Sequence, residues 1–157
     1  MFRARKICCP VDFSETSKTA LEMAADLASQ FEAELTVLHV VEDANPLLPQ
    51  GRVFVTSEFF QPVLDKANRS LREWLQLADS RGKIRVDGRV VTGVPFAEIL
   101  QFVEQGKFDL IVMGTEGRTG LTHLVFGSVA ERVLRMAPCP VLVVPNPARV
   151  SAQSQSS

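Results

Sequence analysis

The chain has 157 residues, 46% of them apolar and 22% charged, and a formal net charge of −1. That length suits one domain able to bury roughly 70% of its unfolded surface without disulfides or structural metals, and the composition excludes disordered and fibrous classes. A near-neutral chain whose basic cluster stops at Arg3, Arg5 and Lys6 does not fit a nucleic-acid partner, and no run approaches the roughly 18 to 20 apolar residues of a membrane span, so neither export nor a membrane location is expected.

Apolar runs then alternate with helical periodicities. Lys6 to Val11, KICCPV, reads as a short strand, and its neighbours Cys8 and Cys9 fall on opposite faces. Both are expected to be small buried residues rather than a redox couple; with Cys139 they form an odd set without CxxC or metal-ligand spacing, which suits a reducing cytosol. Asp12-Phe13-Ser14 has the look of a helix entrance with Ser14 as N-cap. Ala20, Leu21, Ala24, Leu27, Ala28 and Phe31 follow at the spacing of one buried stripe along a helix from Glu15 to Phe31. Leu35 to Val41, LTVLHVV, is apolar throughout, as a strand covered on both faces is, and His39 within it reads as a satisfied sheet or core residue.

From Glu42 to Pro62 no period survives Pro46, Pro49, Gly51 and Pro62, which predicts an irregular segment and a candidate lid. A helix is expected from Pro62 to Ser80, its inner face carrying Val63, Ala67, Leu71, Trp74, Leu75 and Ala78, with Arg81-Gly82 closing it. Ile84 to Val91 alternates as a strand exposed on one side or near an edge does, and Thr92-Gly93-Val94-Pro95 turns into a helix over Phe96 to Glu104. Phe108 to Met113 is a further strand, followed at once by GTEGRTGLTHLVFGS, a helix from Ser128 to Met136 and a last strand from Val141 to Val144. The polar Ser/Gln-rich residues from Asn146 to Ser157 read as a disordered tail.

Strands alternating with helices imply βαβ units and a parallel sheet with helices on both faces. In such sheets a ligand sits beyond the carboxyl ends of the strands, where strand order reverses. Attention therefore falls on Pro10, Val11 and Asp12 after the first strand, on Val40 and Val41 at the end of the second, and on Met113 to Ser128 after the fourth.

The third of these loops carries the strongest signal: Gly114-Thr-Glu-Gly117, then nine residues, then Gly127-Ser128 at a helix start. Glycine permits positive φ in a tight turn and lets phosphate oxygens approach backbone amides, and a helix N-terminus adds unpaired donors. The same glycines can serve turn geometry alone, and the Ser128 hydroxyl can either donate to a phosphate or cap the helix. This spacing is similar to that of the universal stress protein family, in particular its ATP-binding branch. CPVDFSETSKTAL, LHVVE, VVTGVPFAEIL and PCPVLVVP extend the resemblance over most of residues 5 to 145.

The resemblance implies a single-domain, Rossmann-like α/β sandwich with a five-stranded parallel sheet, binding ATP with Mg2+ or Mn2+, as a stress-response sensor or regulator. It implies that Asp12 accepts from the ribose hydroxyls or helps hold a metal, that Pro10, Val11 and Val40 border the adenine, and that Met113 and Gly114 line the nucleoside. Gly117, Gly127, Ser128 and Val129 would contact the phosphates. For Asp12 the competing reading is an acid favouring the first helix dipole. Arg118 either neutralises phosphate or is merely solvated, and His123 lies where it could approach phosphate. No residues form a nucleophilic triad and no GxxxxGK[ST] segment exists, so any hydrolysis is expected to be slow. The family also commonly pairs the last strand with its copy, which implies a homodimer. Two alternatives stand beside this: a nucleotide-free interaction module of the same fold, and an adenylating or flavin-carrying enzyme. The latter is disfavoured because Pro10-Val11-Asp12-Phe13-Ser14 lacks a pyrophosphate loop's glycines.

Overall fold

The computed structural model describes residues 1–42, 57–115 and 126–148, with the side chains of 57–59 excepted. In chain order the elements are β1 (Lys6–Pro10), α1 (Glu15–Phe31), β2 (Glu34–Glu42), α2 (Ser57–Asp79), β3 (Arg85–Gly93), α3 (Pro95–Gly106), β4 (Leu110–Gly114), α4 (Ser128–Met136) and β5 (Val141–Val144). The five strands form one all-parallel sheet in the order β3-β2-β1-β4-β5. Strand order thus reverses between β1 and β4, and the crevice above that pair is where such a sheet receives a ligand.

Two apolar layers cover the sheet. Side chains alternate across a strand, so Cys9, Leu35, Val37 and Val112 pack beneath α1 and α2, while Cys8, Leu38, Ile111 and Met113 pack beneath α3 and α4. The adjacent cysteines therefore sit in different layers, both fully buried, and burial raises both thiols well above their ordinary range. Helix α1 buries Ala20, Leu21, Ala24, Ala25 and Ala28 and starts at Ser14, whose hydroxyl accepts from the Ser17 amide. Small alanines let the helix lie close to β1 and β4. Strand β3 lies at an edge and alternates in exposure, as its sequence suggests.

Several boundaries differ from expectation. Helix α2 begins at Ser57, not Pro62, and carries Pro62 inside it. Pro62 is the sixth residue of the helix, so it removes the one i→i−4 bond its amide would give to the Glu58 carbonyl and disturbs only the opening turn and a half, which leaves the rest of the helix intact. Residues 57–62 are consequently helical rather than part of an irregular lid, and the rest of that expected segment, 43–56, falls outside the described residues. Ala67, Leu71 and Ala78 are buried as their period requires, but Val63 is 47% exposed. Strand β4 starts at Leu110, not Phe108, whose amide closes the end of α3 on Val103 O at 3.1 Å; the Asp109 carboxylate accepts from the Arg5 and Lys6 amides at 2.8 and 2.9 Å, tying down the start of β1. Helix α3 runs to Gly106, where Lys107 adopts a left-handed cap. Of the polar tail, only 146–148 are described, with Ala148 N–H donating to Asn146 Oδ1 at 3.0 Å.

Candidate functional site

A cleft of about 870 Å³ opens above the carboxyl ends of β1, β2 and β4, within the size range of small-molecule and cofactor sites. The turn after β1 forms its floor. Val11 is clamped to β2 from both sides, its N–H donating to Leu38 O at 2.8 Å and its carbonyl accepting from His39 Nδ1 at 2.8 Å. Asp12 follows; its Oδ1 accepts from the Ser14 amide at 3.0 Å, and its own N–H meets Ser17 Oγ at 3.4 Å. The helix entrance and the carboxylate are therefore one structure, in which Asp12 organises the start of α1 and also lines the cleft.

Phe13 has φ 64°, a left-handed conformation that is uncommon for a bulky side chain and costs on the order of 1–3 kcal/mol. Its ring lies 4.3 Å from that of His39, tilted by 34°, and meets Trp74 of α2 edge-on at 5.2 Å. Aromatic packing holds the strained turn in place.

The opposite wall is built by β4 and α4. Gly114 ends β4 in register with Val144 of β5. A Cβ at Gly114 would stand 2.7 Å from Thr16 Cγ2 and 3.2 Å from the Thr16 backbone carbon, so glycine here serves the close approach of α1. Thr115 N–H donates to Val144 O, and the Gly127 amide returns to Thr115 O, which brings the two ends of the glycine-rich segment together. Gly127, rather than Ser128, is the α4 N-cap; Ser128 is the first helical residue and is exposed. The first intrahelical bond is Glu131 N–H to Gly127 O, so the amides of Ser128, Val129 and Ala130, all lining the cleft, have no acceptor within the helix. Such a helix start favours an anion.

The sequence-derived candidates Pro10, Val11, Asp12 and Val40 thus share one cleft with Met113, Gly114, Gly127, Ser128 and Val129. Gly117, Arg118 and His123 lie outside the described residues. Thr115, within the loop the sequence marked, also lines the cleft, and three groups not read as site residues join it: His39, expected as a sheet or core residue, Phe13, expected as part of a helix entrance, and the α2 face presenting Lys66, Ala67 and Ser70. The helical spacing of 63, 66, 67 and 70 puts these residues on one side of α2, but Lys66 and Ser70 interrupt the apolar stripe there, and the sequence does not say what lies opposite. Among the described residues no three metal-ligating side chains cluster together.

The universal stress protein family model matches residues 3–145. Universal stress protein MJ0531 of Methanocaldococcus jannaschii is 40% identical over 146 residues, spanning 91% of this chain and 83% of that protein. The solved universal stress protein UspA from Lactobacillus plantarum matches with a TM-score of 0.82 at 27% identity, over 92% of this chain and 99% of that one. A universal stress protein solved in complex with cAMP shares the fold at a TM-score of 0.68 and 23% identity, over 91% and 98% of the two chains. The family match over nearly the whole chain, the 40% identity and the shared fold agree: the chain belongs to the universal stress protein family.

Proposed function

We propose that the chain binds an adenine nucleotide, ATP in the first instance, in the cleft above β1 and β4 and acts as a nucleotide-dependent sensor or regulator in the stress response, with slow hydrolysis at most. The observation that carries this reading is the start of α4, where the amides of Ser128, Val129 and Ala130 have no acceptor within the helix and belong to residues lining a cleft whose other walls are largely apolar. In this reading the base lies among Pro10, Val11, Val40 and Met113, the sugar beside Asp12 and Gly114, and the phosphates at the α4 start; Gly117 and Arg118, proposed phosphate contacts on the resemblance alone, fall outside the described residues. The cAMP complex of a family member supports an adenine ligand. Mg2+ or Mn2+ would be carried by the nucleotide's phosphates, with Asp12 and Glu42 as carboxylates that line the same cleft.

Two further readings accompany this one. A homodimer through β5 fits the terminal position of that strand and the exposure of Leu142 (38%) and Met136 (63%); sedimentation showing only monomer at micromolar concentration rejects it. A cytoplasmic location fits the three free thiols.

The deciding experiment denatures freshly purified protein, identifies any released nucleotide by mass spectrometry, and titrates the remainder with ATP and Mg2+. Near-stoichiometric adenine nucleotide, or saturable binding, supports the reading. Neither retention nor binding at millimolar ATP favours a nucleotide-free interaction module instead.

A further inference from the structure

We propose that His39 is a positioning residue for Asp12: its imidazole fixes the turn at Val11 to Phe13 so that the Asp12 carboxylate meets the sugar hydroxyls of a bound ribonucleotide. The inference rests on the nucleotide reading above.

A carbonyl oxygen only accepts, so the 2.8 Å contact between His39 Nδ1 and Val11 O requires the proton on Nδ1. With Val11 N–H already bound to Leu38 O, both backbone groups of Val11 are committed to β2, and the peptide entering Asp12 is held in one orientation. On the other side of Asp12, the Phe13 ring rests on the His39 ring at 4.3 Å while its backbone occupies φ 64°. One imidazole therefore contacts both neighbours of Asp12, by a hydrogen bond before it and by ring packing after it.

The local sequence gives independent reason to assign His39 a task. An apolar side chain would suit LTVLHVV as a sheet strand equally well. It would leave the carbonyl of Val11, a residue only 5% exposed, without its side-chain donor. A polar ring within the largely apolar middle of β2 is explained by that bond.

The test compares ATP with 2′,3′-dideoxy-ATP, which lacks the hydroxyls assigned to Asp12, by titration calorimetry on the full chain. His39→Phe keeps a ring but has no donor; His39→Asn places an amide N–H near the Nδ1 position but has no ring. Wild type is expected to favour ATP by about tenfold, the scale of a hydrogen-bonding contribution to a charged acceptor. H39F is expected to lose most of that preference while still binding both nucleotides, and H39N to retain it. A general loss of structure would weaken both ligands alike and leave their ratio unchanged.

If wild type binds neither nucleotide, the nucleotide reading fails and this inference with it. If wild type binds both equally, the nucleotide reading survives and the inference is overturned. It is overturned too if H39F discriminates as wild type does. Should H39F fail to fold, as judged by circular dichroism, His39→Ala, which removes both donor and ring, takes its place: lost preference with binding of both nucleotides supports the inference, and retained preference overturns it.

Discussion

Two glycines of one motif serve different physical ends. At Gly114 a side chain has nowhere to go, because Thr16 already occupies the space to within 2.7 Å of where a Cβ would stand. Gly114→Val is expected to destabilise the protein by about 1–3 kcal/mol through overpacking. Urea unfolding checks this as a lowered midpoint at unchanged slope; a midpoint equal to wild type would show that α1 can shift at no cost. Gly127 is the contrasting case. Its φ of −68° and ψ of 161° are open to any residue, so nothing in the backbone demands glycine there. Its position at the cleft does, if phosphates approach the α4 start. Gly127→Leu is thus expected to leave the unfolding free energy from urea titration within about 0.5 kcal/mol of wild type while weakening ATP binding at least about tenfold. Calorimetry showing wild-type affinity would reject the phosphate assignment of this loop.

Among the elements, those with an uninterrupted period and a cap were legible in the sequence. Helix α1, with Ser14 ahead of an alanine-rich stripe, and α4, between Gly127 and Pro138, fall where their residues predict. Helix α2 was less legible because the weight of Pro62 depends on its distance from the helix start, which local reading does not supply. The same distinction governs the site. Glycine spacing announces the wall at Gly114 and Gly127, whereas His39 and Phe13 join the cleft only when sheet order brings β2 beside the β1 turn, with Trp74 of α2 packed on Phe13.

Pairing of α1 with α2 also yields a pH prediction. Arg81, just beyond α2, donates to both carboxylate oxygens of Asp26 on α1 at 2.9 and 3.0 Å and lies 3.8 Å from Glu22. That hydrogen bonding holds the Asp26 carboxyl below its ordinary value. A depressed folded-state pKa contributes stability that is present above the unfolded value, about 3.9, and lost as pH falls through the folded one. The pair is exposed, so its contribution is small. Arg81→Gln is therefore expected to unfold at slightly lower urea than wild type near neutrality, with the two midpoints converging below pH 4. A difference independent of pH would mean that Arg81 acts through packing of its stem.

For the whole molecule, the sheet is the one element common to both apolar layers, and Cys8 and Cys9 place a thiol in each. Burial raises both thiols, and Cys139, half-buried, is raised by burial and then by the charge of Asp109. Thiolate is the reactive form, so native protein at pH 8 is expected to expose at most one slowly reacting thiol, and denatured protein all three. Because β1 carries both buried cysteines at its centre, neither layer can open without disturbing the strand that serves the other. Cooperative unfolding then exposes Cys8 and Cys9 at one denaturant midpoint. A ligand bound only to the native state lowers the open population in proportion to 1 + [L]/Kd. An adenine nucleotide at a hundredfold excess over its Kd is therefore expected to slow labelling of Cys8 and Cys9 by about a hundredfold where reclosing outpaces labelling. Cys139, reacting from the native surface, should keep its rate. Mass-spectrometric counting of labelled peptides reads all three sites at once: Cys9 reacting well ahead of Cys8 would show that the α1–α2 layer opens alone, and equal protection of Cys139 would show that its labelling too requires opening of the native fold.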